Sequence, residues 1–177
     1  TTRDGLVRGE IKPQISKNQY DWLGDGLYFF EGDSSRALKL AQASQAKPGH
    51  LLTRKPIATA AVAGAILEID RCLDLTTQVG IASFTNAAQA VVLAHEQSGT
   101  ELPANKPAFQ GDMDLLHRAF DKAACDMVHT FRRLAHAQAL TEADTVAIVA
   151  TAPYQAARGA FEQGGIIADG SSICADT

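Results

Sequence analysis

Cysteine is scarce and scattered in this chain. Cys72, Cys125 and Cys174 lie far apart in 177 residues, with no C-x-x-C pair. An odd, dispersed set excludes a disulfide framework and points to reduced thiols in a cytosol-like compartment. Positive charge is also short. The net charge of −4 argues against a general nucleic-acid binder, which needs clustered Lys and Arg for phosphate contacts. No apolar stretch approaches the length of a membrane span; the longest, 57–66, is interrupted by Thr59 and Gly64. There is no signal-peptide pattern, repeat, low-complexity tract or linker. The hydrophobic share of 46% is that of a globular chain, and residues 1–177 read as one domain. The chain opens at Thr1 without Met and stops at Cys174-Ala175-Asp176-Thr177 without a helix end or polar tail. The expectation is a fragment whose natural chain runs further at both ends.

Common catalytic signatures are missing too. His95-Glu96 begins like a zinc-binding helix, but Gly99 stands where the second histidine is needed. Gly24-Asp25-Gly26 begins a dinucleotide fingerprint, but Phe29 replaces the third glycine. The turn leads into a strand pattern, so no helix N-terminus faces a phosphate. No G-x-S-x-G elbow is present.

What is present centres on Asp21-Trp22-Leu23-Gly24-Asp25-Gly26-Leu27-Tyr28-Phe29-Phe30-Glu31. Gly24 and Gly26 let the backbone take positive φ or approach a ligand closely. Leu27, Tyr28, Phe29 and Phe30 suit a buried strand. Asp33-Ser34-Ser35 then starts a helix over 35–46. The Tyr28 ring beside the glycine turn either faces a flat ligand ring or packs in the core with its hydroxyl satisfied.

Around this stretch the patterning predicts a short helix over 2–9 and a strand over 10–12. Residues 60–69 read as a strand buried on both faces, with Gly64 leaving room for a ligand or another backbone. A short extended piece follows over 72–75. Helices are expected over 84–97, ending at Gly99, and over 112–137. The second carries an apolar stripe of Leu116, Phe120, Ala123, Ala124, Met127, Phe131, Leu134 and Ala135. Lys122 and Asp126 can pair across one of its turns. Cys125 reads as structural, and His117, His129 and His136 as surface or core-edge residues. Residues 145–151 and 154–161 read as strands. Glu162 follows on a loop before Gly164-Gly165, placed either to serve a site or to sit in solvent.

The run from Leu23 to Phe30, with its acidic turn and following helix, resembles the G-x-G-I-Y-F-A-D segment of diphtheria-toxin-like ADP-ribosyltransferases. Val62-Ala63-Gly64-Ala65-Ile66, Cys72-Leu73-Asp74-Leu75 and Arg158-Gly159-Ala160-Phe161-Glu162 are similar to an uncharacterised bacterial and phage group with this motif. The resemblance implies an α+β fold, a split, mainly antiparallel sheet with helices packed on it. It implies NAD as cofactor and substrate, with its nicotinamide stacked on Tyr28 and with Gly24, Gly26 and Gly64 near the ligand. The nicotinamide–ribose bond then breaks through a cation-like sugar, which needs an acid nearby. The family's His-Gly pair falls before Thr1 and its third motif residue after Thr177. Glu31 and Glu162 are the fallback acids for that role, without a motif match. The implied function is ADP-ribose transfer to a protein or nucleic-acid acceptor. It is that of a toxin-like, cytoplasmic effector without a membrane span, with an inhibitory partner protein. The alternative is a non-catalytic module of the same fold that binds a nucleotide or a protein.

Overall fold

The computed structural model describes residues 2–19, 21–46, 56–108, 110 and 115–159. Helix α1 (Thr2–Val7) opens the chain and α2 (Ser34–Ala46) follows the aromatic stretch. Strand β1 (Cys72–Asp74) leads into α3 (Gln78–Ser98). The short strands β2 (Asn105–Lys106) and β3 (His117–Arg118) precede α4 (Ala119–Glu142). Helix α5 (Thr145–Thr151) and strand β4 (Ala156–Arg158) complete the order.

The helices follow from local chemistry. Asp33 accepts a hydrogen bond from the Arg36 backbone at 2.8 Å and so starts α2. The Thr77 side chain accepts from Gly80 N at the start of α3, and Gly99 ends that helix in the left-handed region at φ 65°. Asp144 accepts from the backbone of Val146 and Ala147 at 3.0 Å and nucleates α5. At the other end of α5, Arg132 donates to the carbonyls of Ala150 and Ala152 at 2.9 and 2.7 Å. Residues 145–151 are therefore helical, contrary to the strand expected from their β-branched content. A capped end and a neighbouring arginine outweigh propensity here.

The expected fold class is corrected. Among the described residues 50% are helical and 8% lie in strands, so the core is not a split, mainly antiparallel sheet. β1 pairs in parallel with β4, Leu73 opposite Ala157, and β2 pairs antiparallel with β3. Residues 27–30 and 61–69 lie in no strand, and neither does 10–12. β-propensity describes a fit to a pleated, half-buried surface, and it needs a neighbour to supply the ladder. Ile66 and Leu67 are exposed instead of buried on two faces.

The core sits among β1, α3 and α4. Leu73, Ala87 and Val128 are buried together, with Leu75, Met127, Tyr154 and Ala157 packed around them. The buried face of α4 is Ala124, Cys125, Val128 and Ala139, while Phe131 and Leu134 of the expected stripe are exposed. No helix among the described residues is long and apolar enough to cross a membrane.

Candidate functional site

Ser16 and Gly26 close a loop on each other. Ser16 and Gly26 exchange two backbone hydrogen bonds, at 2.8 and 3.1 Å. Asp21 fills the loop and is only 9% exposed. Its carboxylate accepts from Ser16 Oγ at 2.6 Å, from Asn18 N at 2.8 Å and from Asn18 Nδ2 at 3.3 Å. A buried carboxylate is tolerated only when bonded in this way. Gly24 donates its backbone N–H to the Asp21 carbonyl at 2.7 Å and sits at φ 93°, which a side chain would strain.

Tyr28 closes back onto this turn. Its hydroxyl donates to the Gly24 carbonyl at 2.8 Å and accepts from Leu23 N at 3.2 Å. Both hydroxyl functions are thus used, yet the residue remains 44% exposed. Burial of the hydroxyl end, and then the charge of Asp21, push the phenol well above its ordinary value of 10, against the pull of the Leu23 N–H. Tyr28 is therefore a neutral, anchored ring. It belongs to an exposed apolar row with Leu27, Phe29 and Phe30. The Arg36 guanidinium lies over Phe30, 5.9 Å from its centroid, and ties the row to α2.

Helix α4 holds the turn from below. Lys122 Nζ lies 3.0 Å from Asp25 Oδ1 and 2.8 Å from Asp126 Oδ2, with its side chain only 15% exposed. Burial alone would lower the ammonium's pKa; the bonds to Asp126 and Asp25 outweigh it and raise it. Behind them Cys125 is buried, and its thiol is pushed up to about 12 by burial and then by Asp121 and Asp126. That thiol is a packing group and not a nucleophile. Further along α4, His129 meets the Tyr154 ring edge-on at 6.1 Å, a core-edge position.

The far end of the stretch is fastened to the parallel sheet. Arg158 Nε lies 2.8 Å from Glu31 Oε2, and its Nη1 lies 3.4 Å from Asp74 Oδ2. Hydrogen bonds from the Thr76 hydroxyl and backbone, with Arg158 in support, hold Asp74 below its ordinary value. The Trp22 ring covers Gly159, where any Cβ would collide with it.

The structure thus brings Tyr28, Gly24 and Gly26 into one unit and ends that unit at Glu31. Among the described residues nothing lies within 4 Å of the place a Cβ would take at Gly64 or at Gly26. Glu162 lies outside the described residues. Sequence reasoning missed Ser16, Asn18 and Asp21 as the loop's internal frame. It paired Lys122 with Asp126 but gave no sign that Asp25 joins them. The Asp21 carboxylate accepts from a backbone N–H three residues before it, the reverse of the forward bond by which an Asx turn is read from sequence.

No protein-family model, curated protein or solved structure matches this chain. The stretch carries an anchored neutral aromatic residue, with Asp25 paired to Lys122 and Glu31 paired to Arg158. Such a ring can stack a flat heterocycle, and the acids can meet positive charge.

Proposed function

We propose that this chain binds NAD as a substrate, stacks the nicotinamide ring on Tyr28 and transfers ADP-ribose to a protein or nucleic-acid acceptor. The observation that supports it most is the anchored Tyr28, with its hydroxyl spent on Gly24 and Leu23 while the residue stays 44% exposed. A flat cationic heterocycle suits such a face, because the ring quadrupole attracts positive charge and stacking adds area. The nicotinamide–ribose bond breaks with its electron pair leaving on nicotinamide, and the sugar carbon gains cation character. A carboxylate beside that carbon lowers the barrier. Glu31 ends the same stretch and takes that role, with Glu162 the second acid the sequence offers. Free thiols at Cys72 and Cys125 suit a reducing, cytoplasmic place of action. A toxin-like effector of this kind is held in check by an inhibitory partner protein.

The Arg158–Glu31 ion pair favours a second reading, because it occupies the acid that the transfer needs. In that reading the chain is a non-catalytic nucleotide- or protein-binding module. Calorimetric titration with NAD, joined to an assay of nicotinamide release, separates the two. Binding with release supports the transferase, binding without release supports the module, and absence of binding removes NAD from both.

A further inference from the structure

The Tyr28 ring is anchored to a turn that its own hydrogen bonds close and that α4 braces from outside. The hydroxyl grips the Gly24 carbonyl, so the ring moves if Gly24 moves. Gly24 is packed against α4 so closely that a Cβ there would stand 3.1 Å from Asp126 Oδ1. Asp25, the next residue, is held by Lys122, and Lys122 is held in turn by Asp126. Contact therefore runs from α4 through Lys122 to the glycine turn and on to the aromatic face.

From this arrangement we infer that Lys122 is a positioning residue for the Tyr28 platform: its ammonium, lodged between Asp25 and Asp126, fixes the Gly24–Asp25 turn and with it the ring that receives nicotinamide. The inference rests on the NAD reading for its ligand but not for its geometry. Lys122 is well suited to the task because it is mostly buried and lies between two half-exposed carboxylates. A preorganised ring binds more tightly than one that must be ordered on binding. Replacing Lys122 by Met keeps the stem and removes the charge, so the turn loses its hold on the helix while α4 keeps its packing.

The test uses Trp22, the single tryptophan of the chain, as a reporter inside the loop. NAD is titrated into the wild type, Lys122→Met, Lys122→Arg and Asp25→Asn, and acrylamide quenching of Trp22 is measured without ligand. Lys122→Met should raise the Kd for NAD about tenfold and make Trp22 more quenchable, and Lys122→Arg should restore both to within about twofold. In a Tyr28→Ala background the same Lys122→Met change should leave the residual Kd unchanged, because the lysine acts through the ring. An equal loss in both backgrounds would mark a general structural role and overturn the inference. So would unchanged Kd and quenching in Lys122→Met. If Lys122→Met does not fold, Asp25→Asn is judged by the same readouts. If the wild type does not bind NAD, the NAD reading falls. Quenching then decides the clamp alone: a rise upholds it and no change overturns it.

Discussion

The Arg158 guanidinium lies 2.8 Å from the Glu31 carboxylate, joining the end of the aromatic stretch to the end of the parallel strand pair. Both side chains are more than half exposed, so the pair adds little to stability, within about 0.5 kcal/mol. Its weight is in chemistry. Glu31→Gln should melt almost as the wild type does, yet lower nicotinamide release at least about tenfold if Glu31 meets the sugar cation. Melting curves and release rates of the two proteins check this. Equal release would pass the acid's role away from Glu31.

The Tyr28 hydroxyl has two backbone partners, and Tyr28→Phe removes both while keeping the ring. The Gly24 carbonyl and Leu23 N–H would then rely on water. The expected loss is about 1 kcal/mol of stability, read as a lower urea midpoint with an unchanged m-value. NAD affinity should fall by less than in Tyr28→Ala, because the stacking face survives.

Ala143 ends α4 at φ 54°, in the left-handed region where glycine is preferred. Ala143→Gly should raise stability by about 0.5–1 kcal/mol. Thermal melting tests it, and a lowered Tm would show that the entropy glycine adds to the unfolded chain exceeds the strain relieved.

His129 has a pKa below its ordinary 6.5, through burial first, with Arg133 adding to the effect and Asp126 opposing it. The unfolded chain then takes up a proton before the folded one does. The stability that this histidine contributes is whole above pH 6.5 and is lost as pH falls through the window down to the depressed folded value. Asp33 and Asp74 are also depressed, and their losses come lower, below their ordinary 3.8. Urea unfolding between pH 7.5 and about 5 should show the decline in the wild type and a flatter profile in His129→Phe.

What the sequence made legible was mostly local. The helix start at Asp33-Ser34-Ser35 and the stop at Gly99 depend on neighbours a few residues away and are found where expected, and the extended piece expected over 72–75 is found as Cys72–Asp74. The Lys122–Asp126 pair is of the same kind. Residues 27–30 and 60–69 were misread because a strand depends on a partner that propensity cannot name. Residues 145–151 were misread because Asp144 and the distant Arg132 together cap a helix that β-branched residues alone would not favour. In the site, Tyr28 and the glycines stood out as a continuous stretch. Asp25 on Lys122 and Glu31 on Arg158 did not, since each joins residues far apart in the chain.

The central claim is that the exposed face of Tyr28 receives nicotinamide. The most direct measurement is NAD titration of the folded wild type and folded Tyr28→Ala under one set of conditions. The account predicts saturable binding by the wild type and a loss of about 1–3 kcal/mol in the variant, by analogy with aromatic–base stacking. Equal affinities in the two proteins would contradict it.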